Sequence, residues 1–99
     1  MANKAALVTG GGTGIGAAVV LALAKAGYDV AINYSRSEGP AKAVAAQAEK
    51  AGVKAITIKC DVSNDKSVRA MLAEVEKTFG RLDVLVNNAR SEEHTSELQ

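Results

Sequence analysis

The chain has 99 residues, 47% of them hydrophobic and 23% charged, with a formal net charge of +1. This length allows one small domain at most, and the near-neutral charge with only three aromatic residues argues against nucleic-acid binding. No apolar run approaches the ~20 residues that span a bilayer, and the few residues ahead of the first predicted strand are too short for a signal peptide. A lone cysteine, Cys60, suits a reducing compartment. We therefore expect a cytoplasmic protein.

The first predicted elements are a buried strand at Ala5–Val8, a turn dense in glycine and a helix that begins near Ile15. This order favours phosphate binding, because glycine lets the backbone approach a ligand and the N–H groups of a helix N-terminus point at it. The spacing excludes a P-loop, since Ala17 stands where that motif needs lysine. A plain connecting turn remains the alternative.

Strands and helices alternate along the rest of the chain. The pattern predicts a second strand at Val30–Tyr34, then helix Pro40–Ala51, strand Lys54–Cys60, helix Asp65–Phe79 and strand Asp83–Asn87. Ser63 or Asn64 is the expected N-cap of the last helix. The order β-α-β-α-β-α-β predicts an α/β fold with a parallel sheet in the order 3-2-1-4, covered on both faces.

Each helix has an apolar stripe that would pack on this sheet. The stripes are formed by large and small apolar residues at helical spacing: Ile15, Val19, Val20 and Leu23 in the first helix, Ala41, Val44, Ala45 and Ala48 in the second, and Val68, Met71, Leu72, Val75 and Phe79 in the third.

Three short motifs resemble those of the short-chain dehydrogenase/reductase family. Thr9 to Gly16 matches T-G-x-x-x-G-[IL]-G, Asp61-Val62 follows the third strand, and Asn87-Asn88-Ala89 is similar to the start of N-N-A-G. The resemblance covers Lys4 to Ala89. It implies a Rossmann-like doubly wound sheet, here truncated to about four strands with three helices, and an NAD(P)-dependent oxidoreductase acting on a carbonyl or alcohol substrate.

The resemblance also assigns cofactor contacts to the motif residues. Gly10, Gly14 and Gly16 would shape the pyrophosphate loop, Gly11, Gly12 and Thr13 would line it, and Ile15 would offer its backbone N–H while its side chain packs in the core. Asp61 and Val62 would contact adenine, although Asp61 is as readily a turn residue ahead of the helix. Asn87 would brace the sheet, and Asn88 and Ala89 would pass the nicotinamide ribose.

The residues after the second strand favour NADP(H) over NAD(H). An acid there would bind the ribose 2′-hydroxyl of NAD, but the chain reads Asn33-Tyr34-Ser35-Arg36. Ser35 can donate to a 2′-phosphate, and Arg36 can pair with it or stack on adenine, with Tyr34 beside them. Two points weigh against this interpretation. Arg36 is otherwise a solvated loop cation, and Thr13 is neutral where many NADP-preferring members carry a base.

No catalytic or metal-binding residues are predicted. The family resemblance implies a Tyr-x-x-x-Lys pair, but neither Tyr28 nor Tyr34 is followed by lysine four residues on. A complete member has roughly 250 residues, so we expect the 99-residue chain to be an inactive dinucleotide-binding fragment whose full-length form is a homo-oligomer. A non-enzymatic nucleotide-binding module or sensor on the same half-fold is the alternative.

The last ten residues differ from the rest in composition and periodicity. Arg90 replaces the glycine of N-N-A-G, and Arg90–Gln99 contains Leu98 as its one apolar residue. The string AGATCGGAAGAGCACACGTCTGAACTCCAG encodes this decapeptide and resembles a sequencing-library adapter. We therefore expect residues 1–89 to form a partial dinucleotide-binding domain and residues 90–99 to be a non-native or disordered tail.

Overall fold

The computed structural model describes residues 3–88, so Ala89 and the predicted tail lie outside the described residues. Within this range the chain alternates strands and helices as predicted: β1 (Ala5–Thr9), α1 (Gly14–Lys25), β2 (Asp29–Tyr34), α2 (Glu38–Lys50), β3 (Ala55–Lys59), α3 (Asp65–Phe79) and β4 (Val84–Asn87). In the part of the chain that is described, no helix is long and apolar enough to cross a membrane.

The four strands form one parallel sheet in the order β3-β2-β1-β4, which confirms the predicted fold and strand order. Leu7 of β1 lies opposite Ala31 of β2 on one side and Leu85 of β4 on the other. The interior strands β1 and β2 are almost entirely buried. Their continuous apolar sequences follow from this position, because helices cover both faces of a parallel sheet.

Helices α1 and α2 pack on one face of the sheet, and α3 packs on the other. The first core contains Val8, Ile32, Val20 and Val44, and the second contains Leu7 with Met71 and Val75 of α3. The predicted faces of α2 and α3 are confirmed: Ala41, Val44 and Ala48 are buried in α2, as are Met71, Val75 and Phe79 in α3.

The predicted apolar stripe of α1 is partly wrong. Val20 is buried and both Val19 and Leu23 are half-buried against the core, but the Ile15 side chain is 73% exposed. The buried stripe runs instead through Gly16, Val20 and Ala24. These residues are four apart, and the small size of Gly16 and Ala24 lets the helix lie close to the sheet.

Two aspartates hold the strands together at the amino edge of the sheet. Asp29 Oδ1 accepts hydrogen bonds from Asn3 Nδ2 at 3.1 Å and from the Lys54 backbone N–H at 2.9 Å. Asp83 Oδ2 accepts from the Ala5 N–H at 2.9 Å and is paired with Arg81. The opposite edge, where the carboxyl ends of the strands meet, is where ligands bind in open α/β sheets.

Candidate functional site

The turn between β1 and α1 depends on glycine at its two ends. Gly10 and Gly14 have φ angles of 64° and 56°, in the left-handed region that side chains with a Cβ rarely adopt. The Gly11 N–H donates to the Asn33 carbonyl at 3.1 Å, which holds the turn against the end of β2.

Gly16 has no room for a side chain. A Cβ at this position would overlap the Gly10 carbonyl oxygen and would lie 2.7 Å from Nδ2 of Asn88. The first turn of α1 therefore rests directly on the backbone at the start of the glycine turn. Close packing of helix and strand is the role of the last glycine in dinucleotide-binding turns.

Gly11 and Gly12 are buried and face neighbouring elements. A Cβ on Gly11 would lie 3.1 Å from the Val8 carbonyl oxygen, and one on Gly12 would lie 3.0 Å from the backbone nitrogen of Ala41. Of the two, Gly12 also contributes to the cleft described below, whereas Gly11 packs towards the core. The absent side chain of Gly12 lets the turn pass close to α2.

The N-terminus of α1 is open to a ligand. Thr13 is its N-cap, and the Thr13 side chain makes no capping hydrogen bond. The first turn holds no acidic residue, and the leading N–H groups of a helix have no acceptor within the helix. The helix dipole adds partial positive charge at the same point. A negatively charged group is therefore favoured beside Thr13, Gly14 and Ile15.

A cleft of about 390 Å³ brings this turn together with the segment after β2. We call it the turn cleft. It is lined by residues of the glycine turn, the end of β2 and the loop leading into α2: Gly10, Gly12, Thr13, Asn33, Tyr34, Ser35, Arg36 and Ser37. Ser37 is the N-cap of α2 and, like Thr13, makes no side-chain capping bond. Two helix N-termini and one arginine thus meet at the turn cleft.

Asp61 forms a local turn at the end of β3. Its Oδ1 accepts hydrogen bonds from the Ser63 hydroxyl at 2.6 Å and the Ser63 N–H at 3.0 Å. These bonds lower the pKa of the Asp61 carboxyl, the Ser63 hydroxyl contributing most. The N-cap of α3 is Asn64, whose Oδ1 accepts from the Ser67 N–H at 3.1 Å. The observed contacts of Asp61 are those of the turn alternative, and its contact with adenine stays a prediction.

The side chains at the ends of β1 and β4 bind one another. The Thr9 hydroxyl lies 3.1 Å from Asn87 Oδ1, to which it can donate, and it accepts the Asn88 N–H at 2.8 Å. Asn88 Nδ2 donates to the Gly10 carbonyl at 3.3 Å. The Asn87 contact fits the bracing role expected of it. Asn88 lies against the glycine turn, and Ala89 lies outside the described residues.

Val62 and Asn87 lie at a second, mainly apolar crevice on the α3 face. Its volume is about 160 Å³, and it is lined by Thr9, Val62, Val68, Met71, Leu72, Leu85 and Asn87. The predicted site residues therefore fall on two sides of the glycine turn. Gly10, Gly12 and Thr13 of the phosphate-binding candidates line the turn cleft together with Tyr34, Ser35 and Arg36, whereas Val62 and Asn87 border the apolar crevice.

Asn33 lines the turn cleft although it was not among the predicted site residues. Its side chain is 1% exposed, and its Oδ1 accepts the Gly10 N–H at 3.2 Å. Its Nδ2 donates to the Cys60 carbonyl at 3.2 Å. The available signal was an amide directly after the apolar residues of the predicted strand, where a buried polar group needs a partner.

Comparison with known proteins agrees with this geometry. A profile of the family described as short chain dehydrogenase matches residues 4–99. The chain is 49% identical over 92 residues to the short-chain dehydrogenase/reductase homolog YusS of Bacillus subtilis, covering 93% of this chain and 84% of that protein. It is 45% identical over 87 residues to the L-rhamnose 1-dehydrogenase (NAD(P)(+)) of a Sphingomonas species, covering 88% of this chain but only 34% of that enzyme.

A solved structure gives the same result in three dimensions. A short chain dehydrogenase from Burkholderia cenocepacia in complex with NADP superposes with a TM-score of 0.85 at 50% identity. The match covers 87% of this chain and 35% of that one. The glycine turn, the 3-2-1-4 sheet and these matches lead to one conclusion: the chain belongs to the short-chain dehydrogenase family.

Proposed function

We propose that this chain binds NADP(H) through the turn cleft, as the dinucleotide-binding part of an oxidoreductase that transfers hydride between the cofactor and a carbonyl or alcohol. The observation that carries the proposal is the meeting of the glycine turn with Ser35 and Arg36 in one cleft. The chain spans about a third of the rhamnose dehydrogenase and of the NADP-bound structure, so the activity of a complete protein belongs to the proposal.

The pyrophosphate would lie at the N-terminus of α1. Backbone N–H groups and the helix dipole stabilise an anion there. Gly10, Gly14 and Gly16 hold the backbone in a form that leaves this space open. Among residues 3–88, none that lines the turn cleft carries a carboxylate that would repel a phosphate.

The ribose 2′-phosphate would lie between Ser35 and Arg36. An arginine binds phosphate through two parallel N–H donors, and a serine hydroxyl can add a third. The loop offers no acid at the end of β2 to bind a free 2′-hydroxyl. The NADP bound to the Burkholderia protein supports this choice, while the name of the rhamnose dehydrogenase includes both NAD and NADP.

We propose that the 99-residue chain binds the cofactor without turning it over. Carbonyl reduction needs an acid to protonate the forming alkoxide, and the chain has no Tyr-x-x-x-Lys pair. This feature favours a second candidate function, a nucleotide-binding module or sensor.

Calorimetric titration with NADP⁺ and with NAD⁺ tests the cofactor assignment. We expect Arg36→Ala to weaken NADP⁺ binding about tenfold, the loss of one charged phosphate contact, with little effect on NAD⁺. Arg69→Ala, which removes an exposed arginine from α3, is the matched control and should leave both affinities unchanged. If Arg36→Ala lowers the affinities for NADP⁺ and NAD⁺ equally, Arg36 does not bind the 2′-phosphate.

Turnover is tested separately. NADPH absorbance at 340 nm is followed with the purified chain and a panel of ketones, using a complete short-chain dehydrogenase as positive control. We expect binding without consumption of NADPH. Ketone-dependent consumption would refute the proposed lack of catalysis.

A further inference from the structure

We propose that Asn33 is a positioning residue for the dinucleotide, holding the glycine turn and the end of β3 in fixed relation through one buried amide. This inference rests on the proposed function, because it names a residue that sets the geometry of the same site. Asn33 lies at the penultimate position of β2.

The Asn33 amide connects three segments. Its Oδ1 accepts the N–H of Gly10, the first residue of the turn. Its Nδ2 lies within 3.4 Å of the Ile58 carbonyl and 3.2 Å of the Cys60 carbonyl on the β3 side. Its own backbone carbonyl accepts the Gly11 N–H at 3.1 Å. Two consecutive peptides of the turn are therefore held by one residue of β2.

The chemistry of these contacts calls for a neutral amide. The partner in the turn is a donor, whereas the partners on β3 are acceptors, so the side chain must accept at one atom and donate at the other. An apolar residue would leave the buried Gly10 N–H without this hydrogen bond. Unsatisfied buried donors are rare in folded proteins, because they raise the free energy of the folded state. An ionised carboxylate would meet the Gly10 N–H but would oppose the Cys60 carbonyl.

The position of these contacts connects them to ligand binding. Gly10 begins the turn proposed to hold the pyrophosphate, and Cys60 precedes Asp61, the candidate adenine contact. A dinucleotide that spans both sites binds best when their separation is already set. Asn33 fixes that separation and itself lines the turn cleft.

The test replaces Asn33 with aspartic acid and follows NADP⁺ affinity between pH 5.5 and 7.5, relative to the unmodified chain. The buried carboxyl, facing carbonyls, should have a pKa above its usual value. When protonated it can still accept from Gly10 and donate to Cys60. We expect Asn33→Asp to bind nearly as well as the unmodified chain at pH 5.5 and about tenfold more weakly at pH 7.5. Gln47→Glu, the same change on the exposed face of α2, should show no such trend.

Neighbouring groups should not titrate in this window. The pKa of the Cys60 thiol is raised by burial and then by the Asp61 charge, and the pKa of Asp61 is lowered by its bonds to Ser63. Arg36 and Tyr34 are the other ionisable side chains that line the turn cleft. The turn 10–13 holds no titratable side chain.

Two further measurements keep the outcomes distinct. Asn33→Ser, whose hydroxyl is too short to serve both sides, should bind NADP⁺ more weakly at every pH. If either variant binds like the unmodified chain throughout, Asn33 does not position the ligand. The Gly10 amide resonance is read in parallel, and it should shift with pH in Asn33→Asp even without ligand. If the unmodified chain fails to bind NADP⁺ while this shift occurs, the proposed function fails but the Asn33 contact with the turn stands.

Discussion

Gly16 is a position in the site where adding a single methyl group is expected to affect both stability and ligand binding. Its Cα faces the Gly10 carbonyl so closely that the contact excludes a methyl group. We expect Gly16→Ala to destabilise the fold by about 1–3 kcal/mol, the usual range for overpacking. It should also displace the turn and weaken NADP⁺ binding. Urea unfolding and calorimetric titration measure the two effects.

Gly39→Ala is the matched control for this substitution. Gly39 lies in the first turn of α2, and a Cβ there would meet nothing within 4 Å. Alanine should therefore be neutral or stabilise the helix by up to about 1 kcal/mol. Similar destabilisation by the two substitutions would mean that the contact with Gly10 is not what Gly16 provides.

At this scale, the sequence predicted the residues whose role follows from spacing. Gly10, Gly14 and Gly16 follow from the motif, because left-handed turns and close helix packing require glycine. Asn33 could not be assigned, since its side-chain contacts include the Cys60 carbonyl, 27 residues away in the sequence. Ile15 was placed in the core because a search for large apolar residues ignores Gly16 and Ala24, the small residues that α1 buries.

Helix α3 has the best-defined start of the three helices. Its N-cap Asn64 accepts the Ser67 N–H, whereas the N-caps of α1 and α2 make no side-chain bond. We expect Asn64→Ala to lower the free energy of unfolding by about 1 kcal/mol and Asn64→Asp to leave it nearly unchanged. Chemical denaturation measures both. An alanine variant as stable as the unmodified chain would show that the cap contributes nothing.

Strand β4 is attached to β1 at its amino end through Asp83. The pKa of Asp83 is lowered, first by its hydrogen bond from Arg81 and then by the Ala5 N–H. A carboxylate whose pKa is lowered in the folded chain stabilises that chain at pH values above the pKa it has in the unfolded chain, about 3.9. That stabilisation is lost as the pH falls through the folded-state value. We expect the unmodified chain to be more stable than Asp83→Asn at pH 7, with the difference shrinking below about pH 4.

Glu74→Gln is the control for the stability measurements at low pH, because it also neutralises one carboxylate but lies on the exposed face of α3. Its stability relative to the unmodified chain should change little with pH. If the difference in the free energy of unfolding between the unmodified chain and Asp83→Asn does not shrink at low pH, the ionised form of Asp83 is not what stabilises this end of β4.

Element types were predictable throughout, but some boundaries were not. The predicted α3, Asp65–Phe79, is also the observed one, because Asn64 and Gly80 give clear start and stop signals. Helix α2 begins at Glu38, two residues before the predicted Pro40. Proline is tolerated in the first turn of a helix, where its missing N–H has no acceptor in any case. It therefore allows a helix to start near it without fixing the first residue.

For the molecule as a whole, the strand order leaves β4 at one edge of the sheet. Among the described strands it pairs only with β1, and the Leu85 side chain beside the apolar crevice is 53% exposed. Exposed apolar edges of this kind promote pairing with other chains. We expect the 99-residue chain to self-associate as its concentration rises, and Leu85→Lys to increase the monomer fraction in sedimentation velocity experiments.

Ala46→Lys adds the same charge on the exposed face of α2 and controls for a general effect of charge on solubility. It should leave association unchanged. If Leu85→Lys and Ala46→Lys increase the monomer fraction equally, the effect is due to net charge. If the unmodified chain stays monomeric at high concentration, the predicted self-association is wrong.

The strand ends are held by different chemistry on the two sides of the molecule. Where Asp29 and Asp83 secure the amino edge with carboxylates, Asn33, Asn87 and Asn88 secure the opposite edge with uncharged amides. The scaffold that shapes the turn cleft is therefore electrically neutral, although it is as fully hydrogen-bonded as the charged one. The three amides therefore add no negative charge beside the proposed phosphate site, and we expect low pH to weaken the carboxylate bonds of the amino edge while leaving the amide bonds unchanged.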